Sequence, residues 1–129
     1  MRRSAPDRGA AASEFAMLAG LVSVLLLAAM QLAFALHVHN TATAHVIEGA
    51  RVGARADATP AEGVARAREL MSASMSGIAD GAVLTGTRRS VAGVEVVELT
   101  AEVRLPILGP FGPGGALTVT GQAYAEDQG

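Results

Sequence analysis

The residues from Phe15 to Leu36 read FAMLAGLVSVLLLAAMQLAFAL, twenty-two consecutive positions without a formal charge. As an α-helix rising ~1.5 Å per residue, this stretch is about 33 Å long, enough to cross a hydrocarbon layer of about 30 Å. A fully buried core helix of that length would need a much larger domain around it than the remaining chain can form. The segment therefore reads as a transmembrane helix, and the rest of the sequence is interpreted around it.

Flanking charge sets the orientation. Arg2, Arg3 and Arg8 precede the apolar run, opposed by Asp7 and Glu14, and no basic residue follows until Arg51. The positive-inside rule places the N-terminus in the cytoplasm and the C-terminal part outside. Two other fates are open to the same segment. Ala33-Phe34-Ala35 has the A-x-A form of a signal-peptidase site, although the run exceeds the usual ~7–15 residue apolar region of a signal peptide. The helix could also be a permanent anchor that is never cleaved.

Composition narrows the function classes. The chain has 129 residues, 50% apolar, and only 17% charged, below the ~25% usual for soluble domains. A formal net charge of −2 argues against a broad nucleic-acid-binding face. The absence of cysteine excludes a disulfide scaffold, a thiolate metal site and a cysteine nucleophile. All ten basic residues are arginine.

Past the apolar run, HVHNTATAHVIEGARVGARA (37–56) is rich in alanine and free of proline, so the helix is expected to continue outside the membrane. Val46, Ala50, Gly53 and Ala54 share one narrow face. Gly49 and Gly53, four apart, leave room for close approach of another element. A break follows at Asp57–Pro60. Thr59 as N-cap, Pro60 at the first helical position and Glu62 three residues after the cap form a capping-box pattern. A second helix is expected from Pro60 to Ser76, with Val64, Met71, Met75 and Ile78 inward and Gly77 as its stop.

Beyond Asp80 the period becomes two. Ala82–Thr87 reads as a short strand. Gly93–Leu105 is the best one, with Val97, Leu99, Ala101, Val103 and Leu105 alternating with Glu98, Thr100, Glu102 and Arg104. Val94 and Val96 are out of phase with that set, which predicts a β-bulge near Val96-Val97. PILGPFGPGG (106–115) holds three prolines and four glycines and must be a loop; Phe111 within it is a candidate contact point. Leu117–Ala125 is the last strand, antiparallel to the long one.

One junction carries chemistry. Arg8-Gly9-Ala10-Ala11-Ala12-Ser13-Glu14-Phe15 stands immediately before the apolar run. It resembles the processing site of the type IV pilin superfamily, in particular its Flp and TadE-like branch. The resemblance implies cleavage by a membrane-embedded prepilin peptidase after Gly9, which would make Ala10 the new N-terminus and Glu14 the fifth mature residue, with Phe15 at a position often aromatic in that branch. Ile47-Glu48-Gly49-Ala50-Arg51-Val52-Gly53-Ala54 looks like the EGAR-type segment of TadE-like proteins, and the proline-rich loop between late strands also fits. From the residues themselves, a carboxylate in the first turn of an apolar helix is favoured by the helix dipole, yet inside a filament core it would cost several kcal/mol unless paired, about the penalty for a lone buried charge. The amine released at Ala10 of a neighbouring subunit would supply that pair. The alternative is that Glu14 simply sits at the cytoplasmic membrane interface.

Other candidates are weaker. His37, His39 and His45 do not converge on one helical face, and Glu48 is the nearest further ligand, so neither a metal nor another cofactor is expected. Ser72, Ser74 and Ser76 lack a nucleophile elbow or a matching Asp and His, so no enzymatic activity and no small-molecule substrate are expected. Arg88-Arg89 reads as a solvated turn between strands.

The expected architecture is α+β and pilin-like: a cytoplasmic leader (1–9), a transmembrane helix (10–36), its extracytoplasmic continuation (37–57), and a small α+β domain (58–129) with the second helix and an antiparallel sheet. The resemblance implies a minor pilin or pseudopilin in assembly of a tight-adherence (Tad, Flp-type) pilus. Its partners would be the membrane, the prepilin peptidase, other pilin or pseudopilin subunits and the Tad machinery, with no nucleic acid. The location would be the bacterial cytoplasmic membrane, single-pass, with possible presence in a cell-surface pilus after processing.

Overall fold

A computed structural model of the chain describes residues 7–106 and 115–126. In chain order the elements are α1 (Asp7–Gly53), α2 (Pro60–Ser74), the one-turn α3 (Ser76–Ala79), β1 (Val83–Val91), β2 (Val94–Arg104) and β3 (Ala116–Tyr124). Two compact units form, Met1–Phe34 and Ala35–Gly129, and α1 contributes to both. The architecture is α+β: a long apolar N-terminal helix, a second helix and a small antiparallel sheet.

In the first unit every residue from 9 to 30 is exposed, including Phe15 at 74%, Leu18 at 62% and Leu26 at 61%. Helices in water are stabilised by packing of one apolar face; here the helix is apolar all round, which calls for a non-aqueous surrounding. It is long and apolar enough to cross a membrane.

The second unit is built from three periodic ladders. On α1, Val38, Ala42, Val46 and Ala50 recur every fourth residue and are buried, and Ala54, just past its end, continues the series. Through α2 and α3, Ala67, Met71, Met75 and Ala79 do the same, and on β2 Val97, Leu99, Ala101 and Val103 recur every second. Four-residue steps make a ridge inclined ~26° to a helix axis, and two-residue steps put one strand face inward. No polar or charged residue is buried among those described, so this small core is wholly apolar. The face on α1 begins two turns earlier than the sequence reading placed it, at Val38.

Helix α2 starts as its sequence requires. The Thr59 hydroxyl accepts a hydrogen bond from the Glu62 amide at 3.3 Å, and the Glu62 carboxylate accepts from the Thr59 amide at 2.6 Å. The helix does not run to a stop at Gly77: it ends at Ser74, Met75 leaves the helical region (φ −140°, ψ 47°), and α3 follows as a separate turn.

The sheet has the order β1-β2-β3, antiparallel throughout. The connection from β1 to β2 is Ala92-Gly93, with φ of 53° and 84°, the positive-φ pair that suits a two-residue hairpin. Two sequence expectations are corrected here. Arg88 and Arg89 lie within β1, not in a turn. No bulge occurs at Val96-Val97, since the β1–β2 register is unbroken from Val83↔Glu102 to Val91↔Val94. Val96 is buried on the opposite face from Val97, between its strand neighbours Arg89 and Tyr124. Phe111 and most of the loop containing it lie outside the described residues, as do Arg2 and Arg3.

Candidate functional site

In the first unit, the candidate processing junction is the opening of α1. Gly9, Ala10, Glu14 and Phe15 are all helical and exposed. The Ser13 hydroxyl donates to the Ala10 carbonyl at 2.8 Å, one turn back. Between residues 9 and 47 Glu14 is the only formally charged side chain. A Cβ built on Gly9 would touch nothing within 4 Å. The fold therefore does not require glycine there, although glycine costs ~1 kcal/mol relative to alanine in a helix. Its presence calls for a reason outside packing.

In the second unit, Glu48-Gly49-Ala50-Arg51 divides into an outer and an inner pair. Glu48 and Arg51 are exposed and lie 3.9 Å apart across one turn; so exposed a pair adds little stability. Gly49 and Ala50 are buried. A Cβ on Gly49 would lie 2.6 Å from the Gly63 carbonyl oxygen, 2.7 Å from Ala67 Cβ and 2.9 Å from Leu99 Cδ2. Here α1, α2 and β2 meet, and only a hydrogen fits between them.

The histidines go separate ways. His37 and His39 are exposed, while His45 Nε2 lies 2.7 Å from Ser74 Oγ. The Ser74 hydroxyl also lies 3.0 Å from the Leu70 carbonyl, to which it donates. Burial lowers the His45 pKa below its usual value of 6.5. Among the described residues no three His, Asp or Glu side chains are placed to hold a metal ion.

Both candidate segments fall inside one region of similarity to known proteins. Residues 9–51 match the TadE-like protein family. The matched stretch starts at Gly9, the residue before the expected cut, and ends at Arg51, the last residue of the EGAR segment. It contains the whole membrane-length part of α1 and most of the ladder from Val38 onward. The TadE-like match supports involvement in a function related to the Tad pilus, and the one helix among the described residues that is long and apolar enough to cross a membrane is compatible with a single-pass membrane protein. No curated protein and no solved structure matches the chain.

Sequence reading missed the partners of the glycines. Gly63 opposes Gly49. Gly86 faces Val64 Cγ2 at 2.9 Å and the Pro60 carbonyl at 3.0 Å, and Gly121 faces the backbone of Ile47 at 2.8 Å, all measured from a built Cβ. Each stands where α2 crosses α1, α2 crosses β1, or α1 crosses β3. A glycine inside an otherwise regular helix or strand was the available signal.

Proposed function

We propose that this TadE-like chain is a minor pilin or pseudopilin of a Tad pilus assembly system, inserted with its N-terminus in the cytoplasm and processed by a prepilin peptidase after Gly9. The observation that carries the reading is the opening of α1: an exposed glycine that packing does not need, five residues before the single formal charge between residues 9 and 47, at the boundary of the family match. Before cleavage the apolar half of α1 is solvated by lipid. After it, the helices of neighbouring subunits replace lipid, and the new Ala10 amine of one subunit pairs with the Glu14 carboxylate of another. A charge-assisted pair offsets the desolvation that a lone carboxylate would suffer there. The second unit, larger than a bare pilin helix, fits an accessory role in priming or capping an assembly.

Cells with and without the prepilin peptidase test the reading. The chain should appear in a shorter form only when the peptidase is present, in membranes and in sheared surface fractions. One unchanged length in both strains would contradict it.

A further inference from the structure

The corner between α1 and α2, residues 54–59, is irregular, and the chain passes through it on its way from the long helix to the rest of the second unit. Within the corner, the Arg55 amide donates to the Val52 carbonyl at 3.3 Å and the Ala58 amide to the Arg55 carbonyl at 3.1 Å. Helix C-termini leave carbonyls that find no partner in the helix itself, and the Ala54 carbonyl, just past the end of α1, takes its hydrogen bond from the end of β3. Past Tyr124 the β2–β3 pairing continues for one more rung, the Ala125 amide donating to the Glu95 carbonyl at 2.9 Å. This sets Glu126 against the corner. Its amide donates to the Ala54 carbonyl at 2.8 Å, and its carboxylate accepts from the Ala56 amide at 3.3 Å. An amide given to one residue and an acceptor offered two residues further on is the slanted pattern of a parallel β-pair, with the Glu126 carboxylate in place of a main-chain carbonyl. From β1, the Arg88 guanidinium adds a longer contact of 3.4 Å to the Ala58 carbonyl.

We propose that Glu126 is a clasp: it holds the α1–α2 corner shut against the end of β3, and loss of its carboxylate bond lets the corner open locally while the sheet stays intact. Charge does not account for a carboxylate at this place, because the C-terminal end of a helix carries the negative end of the helix dipole. Arg51 borders the same cleft as Glu126, but the carboxylate it pairs with is Glu48. What the corner lacks is an acceptor for the Ala56 amide, and Glu126 supplies it. Opening is local because of where the corner lies: Ala54 is buried, whereas Arg55, Asp57 and Thr59 are exposed, and the pairing of β1 to β2 and of β2 to β3 involves none of these residues. The clasp thus sets the local stability of one segment through a single side chain. It concerns the second unit alone and holds whichever way the N-terminal segment is processed.

Arg55-Ala56 is a trypsin site inside the corner, and a folded chain is cut there in proportion to how often the corner opens. In the full chain in detergent, Glu126→Ala should speed cleavage after Arg55 about fivefold, the size expected for one exposed charge-assisted hydrogen bond. Glu126→Gln, which keeps an acceptor oxygen, should stay within about twofold of the native chain. Cleavage after Arg89, inside β1, reports opening of the sheet and should not change in either variant. Fragment masses identify each cut. Glu126 is exposed, so neither substitution disturbs the core. Unchanged cleavage after Arg55 in Glu126→Ala would overturn the proposal. So would equal acceleration after Arg55 and Arg89, which would mark a general loss of stability, or Glu126→Gln opening as readily as Glu126→Ala.

Discussion

Gly49 and Gly63 exclude each other's side chains: a Cβ on Gly49 would lie 2.6 Å from the Gly63 carbonyl oxygen, and a Cβ on Gly63 would lie 2.5 Å from the Gly49 carbonyl oxygen. Both clashes are with backbone, which cannot swing aside as a side-chain tip can. Alanine at either position should raise helix propensity by ~1 kcal/mol yet destabilise the second unit by a net ~1–3 kcal/mol through overpacking. Denaturant titration of the full chain in detergent measures this. Unchanged or increased stability of Gly49→Ala would show that the helices separate at no cost.

Gly9 makes the opposite case. With open space around it, a Gly9→Leu change should leave the folding of the second unit unaltered. Only the length of the chain recovered from membranes should change, since the bulky residue blocks the cut and the precursor accumulates. Normal trimming of that variant would remove the glycine from the account of processing.

Glu14→Ala separates cutting from assembly. The side chain is exposed in the isolated chain, so its loss costs the fold nothing visible. Trimming should persist while recovery in the assembled fraction falls several-fold, consistent with loss of a charge-assisted pair worth ~1.5–3 kcal/mol. Equal incorporation of the variant would reject the pairing with the Ala10 amine.

His45 should make the second unit sensitive to acid. Its pKa is lowered by burial in the folded state, so the unfolded chain binds the proton more readily. This group's contribution to stability is then complete above about pH 6.5, the ordinary value, and is lost progressively as pH falls through that value toward the lower folded pKa. Thermal melts at successive pH values should show a downward step for the native sequence below pH ~6.5, flattened in His45→Gln. An identical slope in both would assign the acid sensitivity elsewhere.

What could be read from the residues follows the strength of each periodic signal. The charge-free run to Leu36, the Thr59/Glu62 cap and the alternation from Val97 to Val103 are local patterns, and each produced the expected element. β1 was expected to end at Thr87 because Thr87-Arg88-Arg89-Ser90 carries no apolar residue on either face. It is an edge strand whose far half is held by backbone pairing to β2, with Arg89 bonded to Glu98 on the open face at 2.5 Å. The bulge was inferred from Val96 being out of phase with Val97. In fact both faces of β2 are apolar at that point, one against the helices and the other beside Tyr124. The junction around Gly9 and the EGAR segment were legible as motifs. The reason Gly49 is glycine was not, because its partner Gly63 lies on another helix and no local pattern connects them.

The central claim is that the apolar helix begins its mature life at Ala10. N-terminal sequencing of the chain recovered from membranes of cells containing the peptidase tests it most directly. The account predicts a sequence starting Ala10-Ala11-Ala12-Ser13-Glu14. A start at Met1 would mean a permanent anchor, and a start at Leu36 a secreted protein; either result would contradict it.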